Sequence, residues 1–140
     1  MSPPAPTPSA SLQAAPCPCG LPAPYDRCCG RWHDGAQQWQ APSAELLMRS
    51  RYCAFVLQRG DYLLGTWHPS TRPASPLEFS PGQRWLGLDV RGHGEGPQPH
   101  QAWVEFVARS KEGGRAHRLH ERSRFEFSGG QWWYLDGEFH

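Results

Sequence analysis

The chain has 140 residues, 38% of them hydrophobic and 19% charged, with a formal net charge of +1, enough for about one domain with a modest core. That balance supplies no field for nucleic acid or an anionic membrane, and no apolar run is long enough to span a bilayer. Residues 1–16 hold no Lys or Arg and no continuous apolar stretch; they do not read as a secretory signal, and the expected compartment is the cytoplasm.

Residues 1–16 are almost entirely Pro, Ala, Ser, Thr and Gln. Such a segment cannot bury enough surface to offset its ordering entropy, which predicts a disordered tail. Residues 17–33 carry the cysteine cluster: Cys17, Cys19, Cys28 and Cys29 fall within 13 residues, and Cys53 is the odd fifth. This pattern suits a metal site in a reducing compartment better than a disulfide framework. Four soft thiolates are the donor set of a tetrahedral structural zinc site, and Gly20, Pro22, Pro24 and Gly30 supply turns around an ion. Arg27 would favour deprotonated thiols. The plain alternative is free thiols or a vicinal Cys28–Cys29 disulfide, which leaves the clustering without a role. Spacing alone leaves His33 competing with Cys29 for the fourth position.

The domain proper is expected over residues 40–140. A helix begins at Ser43, with Glu45 favourable against the helix dipole. Leu46, Leu47, Ser50, Cys53, Ala54 and Leu57 fall on one stripe, while Met48, Tyr52, Phe55 and Val56 fill much of the rest. A helix apolar on so many sides is enclosed by the protein, and Cys53 reads as a core residue rather than a ligand. Gly60 is expected to end it, and Asp61 to cap a short helix through Tyr62-Leu63-Leu64. Residues 69–84 form a Pro-rich loop, and Trp67-His68 stands beside it; Trp67 reads as a packing residue.

Strands follow. Trp85 to Val90 alternates with Leu86, Leu88 and Val90 on one face, and Arg91 to Pro99 reads as a flexible loop. Ala102–Arg109, Arg115–Phe127 and Gln131–Asp136 are the remaining strands, joined by two-residue turns at Gly113-Gly114 and Gly129-Gly130, where positive φ is needed. Helices followed by an antiparallel meander make an α+β fold. The turns set a register with Glu105 opposite Arg122, Arg109 opposite Arg118, Phe125 opposite Tyr134 and Phe127 opposite Trp132. Leu119, Phe125, Phe127, Trp132 and Tyr134 then share the core face with His117 and Glu121, and Arg118, His120, Arg122 and Arg124 share the other with Trp103 and Trp133. A buried carboxylate or imidazole needs a partner, which Arg49 or Arg51 can supply. A bulge in the long strand would instead send His117 and Glu121 to solvent.

Cys17-Pro18-Cys19-Gly20, Tyr25 and Cys28-Cys29-Gly30 resemble the SEC-C motif, a short zinc-binding element in which the last two adjacent positions both bind metal. The resemblance therefore implies zinc on Cys17, Cys19, Cys28 and Cys29. Leu21-Pro22-Ala23 departs from the motif's usual Ser-Gly-Lys, and the lost basic residue points to a structural staple rather than a docking surface. Leu47 to Tyr52, Trp67 to Pro73 and His117 to Ser123 resemble the YchJ-type, or UPF0225, family of small bacterial proteins. That family is similar to the NTF2-like fold, a cone of helices packed on a curved antiparallel sheet.

The expected function is a zinc-binding, non-enzymatic adaptor contacting another protein through the knuckle or the arginine-rich sheet face. The alternative is a small enzyme or ligand-binding protein using the cone, with Arg49, Tyr52, His68, His117 and Glu121 as candidates to meet a small molecule; no residue is assigned a catalytic role. Nucleic-acid binding through Arg31 and Trp32 is the weakest reading, since no basic patch surrounds them.

Overall fold

The structure, a computed structural model, describes residues 15–140. Apart from Ala15 and Pro16, the predicted tail over 1–16 lies outside the described residues. Those two fold back on the knuckle: the Tyr25 amide donates to the Ala15 carbonyl at 2.9 Å, and Pro16 bridges Pro24.

The knuckle comprises a 3-10 turn at Tyr25–Arg27 and the single-turn helix α1, Gly30–His33. Helix α2 follows over Ala44–Val56, and its cap is the predicted one, Ser43 accepting from the Leu46 amide at 3.1 Å, a contact of about 1 kcal/mol. The helix ends earlier than expected. Leu57 is its C-cap, and Gln58 takes the left-handed conformation at φ 56°, two residues before the expected end at Gly60. Gly60 instead begins α3, Gly60–Gly65. Arg59, between the helices, grips Asp34 with two hydrogen bonds of 2.9 Å and ties their junction to the end of the knuckle.

Four strands form one antiparallel sheet in chain order: β1 Gln83–Glu95, β2 Gln101–Glu112, β3 Arg115–Ser128 and β4 Gln131–Phe139. The Gly-Gly turns sit at φ 58° and 78° and at φ 59° and 79°, and they set the predicted register: Glu105 opposite Arg122, Arg109 opposite Arg118, Phe125 opposite Tyr134. No bulge interrupts β3. The register shift near it falls in β4, where Arg124 pairs with Asp136 and Phe125 with Tyr134, leaving Leu135 extra. The faces of β3 therefore keep their assignment, and Glu121 and Ser123 point inward and are buried.

β1 departs from expectation twice. Register shifts leave Leu86 and Arg91 extra, and because one inserted residue reverses the alternation, Leu86 is 53% exposed while Trp85 packs on the core. The strand also continues through the segment expected to be a loop, as far as Glu95. Its glycines have a packing reason there: a Cβ on Gly94 would meet the Trp103 indole at 3.0 Å, so Gly92 and Gly94 let that ring lie flat on the outer face. Arg122 lies over the ring, 4.0 Å from its centroid. The bends introduced by the bulges let α2 touch β1, β2 and β4 together, which makes the predicted cone.

Candidate metal centre and ligand cavity

Gly20 sits at φ 94° and donates to the Cys17 carbonyl at 3.1 Å, turning the chain between the first thiol pair and the second. A Cβ on Gly30 would lie 2.7 Å from the Tyr25 carbonyl and 3.0 Å from its ring, so the residue after Cys29 must be glycine for the turn to close. These constraints bring the ligand atoms of Cys17, Cys19, Cys28 and Cys29 within 4.8 Å of one another, all of them buried. The Cys19 and Cys28 sulfurs are 3.7 Å apart, against an edge of about 3.8 Å for a tetrahedron with zinc–sulfur bonds of about 2.3 Å. The donor set fits a thiophilic tetrahedral ion. Hydrogen bonding from Cys17 holds the Cys19 thiol far below the ordinary range, while bonds with Cys17 and the neighbouring sulfurs, then burial, push Cys29 up.

His33 stands outside this group. Its Nδ1 meets the Tyr25 hydroxyl at 2.6 Å and its Nε2 meets the Ser50 carbonyl at 2.8 Å. A carbonyl only accepts, so Nε2 carries the proton and Nδ1 accepts from Tyr25; both nitrogens are committed. Cys53 lies closer to the cluster than its place on a helix stripe suggested, with its sulfur 3.4 Å from that of Cys17. It is the floor on which the knuckle rests rather than one of the grouped four. Arg49 also belongs here. It pairs with Glu45 at 2.9 Å and donates to the Cys19 carbonyl at 2.8 Å.

The opposite face of α2 lines a cavity of about 270 Å³. Met48, Arg51, Tyr52 and Phe55, spaced three and four apart, form one wall; β2, β3 and β4 supply Phe106, Leu119, Glu121, Phe125 and Tyr134. Phe139, 68% exposed, stands at its mouth. Two charged side chains are buried here. Arg51 donates through Nη1 to the Leu63 carbonyl at 2.7 Å and Thr66 Oγ1 at 2.6 Å, and its guanidinium lies 4.5 Å from the Tyr134 ring centroid and 5.3 Å from that of Trp67. Burial lowers its pKa to about 10, so it stays cationic at neutral pH. Glu121 accepts on Oε2 from Ser123 Oγ at 2.5 Å and from the Tyr134 hydroxyl at 3.0 Å. Its carboxylate rests on the backbone of β4 where residue 137 is glycine. Burial pushes the Tyr52 phenol up to about 12 and the Tyr134 phenol higher still, so both stay protonated.

Of the five residues expected to converge on a ligand, Tyr52 and Glu121 line the cavity and the other three do not. Arg49 is on the knuckle side of the helix. His68 rounds the edge of β4 and pairs with Glu126 at 3.1 Å. His117 shares the face of Glu121 but lies at the hairpin end, opposite Ser110 and exposed, beyond the reach of α2. Spacing in α2 held a signal for Arg51, which is in phase with Met48, Tyr52 and Phe55, while Arg49 is in phase with Glu45 and Cys53. Ser123 and Tyr134 fall on the face that the register assigns to Glu121, while Gly137 had no such signal, because its approach depends on the bulge at Leu135. Trp32 is 6% exposed and covered by Arg31, 4.5 Å from its centroid, which leaves no open ring for a base to stack on. Among the described residues no helix is long and apolar enough to cross a membrane.

Known proteins share both centres' framework. The family model described as the YchJ middle NTF2-like domain matches residues 43–137. A UPF0225 protein of Methylibium petroleiphilum is 63% identical over 131 residues, spanning 94% of this chain and 93% of its own. The solution structure of a SEC-C motif containing protein from Rhodopseudomonas palustris superposes with a TM-score of 0.74 at 35% identity, covering 89% of this chain and 98% of that one. The crystal structure of a SEC-C motif containing protein from Psychrobacter arcticus does so with a TM-score of 0.76 at 30% identity, covering 90% of this chain and 83% of that one. With the cysteine knuckle in front and the helix-filled sheet behind, this chain belongs to the YchJ-type UPF0225 family.

Proposed function

We propose that the protein is a zinc-stapled ligand-binding protein of a reducing compartment, the cytoplasm, with zinc on Cys17, Cys19, Cys28 and Cys29 and a small molecule in the cone. The observation that carries this reading is the cavity of about 270 Å³ with Arg51 and Glu121 in its walls. Two buried opposite charges are costly to keep in an apolar site, and an apolar pocket with a few convergent polar groups is the usual form of a small-molecule site. An adaptor has no need of an internal cavity, and this one favours a ligand. The test is a thermal-shift screen of neutral metabolites on wild type and on Ala108→Leu, which narrows the cavity. A compound that stabilises only the wild type supports the reading; a broad screen without one counts against it. For the metal, purified protein is expected to hold about one equivalent of zinc, and Cys17→Ser to lose most of it.

An adaptor role is supported by one separate observation. Arg109 and Arg118 face each other across β2 and β3, both exposed and without an ion pair among the described residues. Like charges directly opposite are destabilising, and an acidic segment of a protein partner would relieve them. Arg118→Glu should then abolish recovery of that partner; unchanged recovery sinks this second reading.

A further inference from the structure

We infer that the cone selects a neutral, planar ligand of about two fused rings carrying a hydrogen-bond donor, a phenolic hydroxyl or ring N–H, which binds Glu121. This rests on the ligand-binding reading and specifies its chemistry.

Size and walls come first. An apolar cavity of about 150 Å³ takes benzene, so one of about 270 Å³ has room for a bicyclic ring. Tyr52, Phe55, Trp85 and Phe106 line it, and flat aromatic walls favour a flat ligand through offset and edge contacts.

Charge comes second. Arg51 and Glu121 balance one another, and the carboxylate helps hold the guanidinium protonated. An anionic or a cationic ligand would leave an uncompensated charge in a site with little water to screen it. A neutral ligand keeps the balance.

Free hydrogen-bonding capacity on Glu121 comes third. Arg51 already donates twice through Nη1 and lies over two aromatic rings. On Glu121 both donors, Ser123 and Tyr134, converge on Oε2. Among the described residues no group donates to Oε1, and that atom is not among the sealed, unpartnered polar atoms. A carboxylate accepts through both oxygens, so Oε1 is a vacant acceptor in the cavity wall that a donor on the ligand can meet. Gly137 fixes its position, since a Cβ there would meet the Glu121 carboxyl carbon at 2.6 Å.

The experiment is calorimetric titration of the full-length protein with 2-naphthol, naphthalene and 2-naphthoate at pH 7. 2-Naphthol is expected to bind about tenfold more tightly than either of the others, the worth of one hydrogen bond to a charged acceptor. Glu121→Gln is expected to erase most of the advantage over naphthalene, and urea denaturation of the variant shows whether it folds. If that variant fails to fold, the wild-type comparison decides alone. Equal binding of naphthalene and 2-naphthol overturns the donor requirement and leaves the ligand-binding reading standing. Tighter binding of 2-naphthoate makes Arg51 the anchor and overturns the inference. No binding by any of the three, together with a screen that finds no stabilising metabolite, overturns both.

Discussion

Gly137 is the position at which the inward carboxylate can be tested without touching it. Gly137 is not among the residues of positive φ, so alanine is free of backbone strain there. An alanine Cβ would nonetheless stand 2.6 Å from the Glu121 carboxyl carbon and 2.8 Å from its Cγ, well inside contact distance. If Glu121 stays, the overlap costs about 1–3 kcal/mol, the usual range for overpacking. If it swings aside, Ser123 and Tyr134 lose a charged acceptor, at about 1.5–3 kcal/mol per bond. Against either stands a gain of about 0.4–1 kcal/mol from the reduced freedom of the unfolded chain. The expected net effect is a loss of about 1–2 kcal/mol. In a Glu121→Ala background the obstruction is gone, and the same change should become neutral or slightly stabilising. Urea denaturation of the wild type, both single variants and the double variant measures the coupling. Equal effects of Gly137→Ala in the two backgrounds, within about 0.5 kcal/mol, would refute the placement of the carboxylate.

Three further outcomes follow from the geometry. Gly30→Ala drives a Cβ against the Tyr25 carbonyl at 2.7 Å, a backbone obstruction that should cost about 2 kcal/mol and reduce bound metal, as elemental analysis would show. Chelation of the metal should lower the melting temperature and loosen Trp32, which packs in the core one turn beyond Cys29; calorimetry with and without chelator checks this, and an unchanged melting temperature counts against the staple. Burial lowers the pKa of His33 below its ordinary value. Between the folded and unfolded values the unfolded chain therefore binds the extra proton, so stability should be level above pH about 6.5 and fall below it by up to about 1.4 kcal/mol per pH unit. His33→Gln should show a shallower fall between pH 7.5 and 5.5 in denaturation measurements, about one proton less.

The parts legible in advance were those set by local chemistry. Ser43 announces the start of α2 because its side chain satisfies an amide that the helix cannot, and the Gly-Gly pairs carry the register because only positive φ closes a two-residue hairpin. From that register the inward placement of Glu121 follows by counting. What counting cannot see is an inserted residue. Leu86, Arg91 and Leu135 each occupy one, and no feature of their side chains distinguishes them from neighbours in regular strand. Trp85 therefore took the place of Leu86 on the core, and Gly137 came beneath Glu121 unannounced. His117 was misjudged differently: its face is right, but the face runs on past the end of the helix, and Phe127, 44% exposed, shows the same at the opposite end of β3. Which face is inward is local information; how far the cover extends is tertiary.

The two centres share one helix, and that decides what a metal on the cysteines would do for the cavity. Arg49, Ser50 and Cys53 hold the knuckle through the Cys19 carbonyl, His33 and the Cys17 sulfur. Met48, Arg51, Tyr52 and Phe55, interleaved with them in sequence, form the cavity wall. No knuckle residue lines the cavity, so a metal on the cysteines cannot touch a ligand there. It would act on orientation instead. Successive residues are about 100° apart around a helix, and a turn by half that amount would take Arg51 off the Tyr134 ring and away from Thr66. Three contacts from the knuckle oppose that rotation, and they come from a segment too short to hold its shape by hydrophobic burial alone. A metal on the four cysteines would supply the missing folding free energy, and the position of α2 would carry it to the cone.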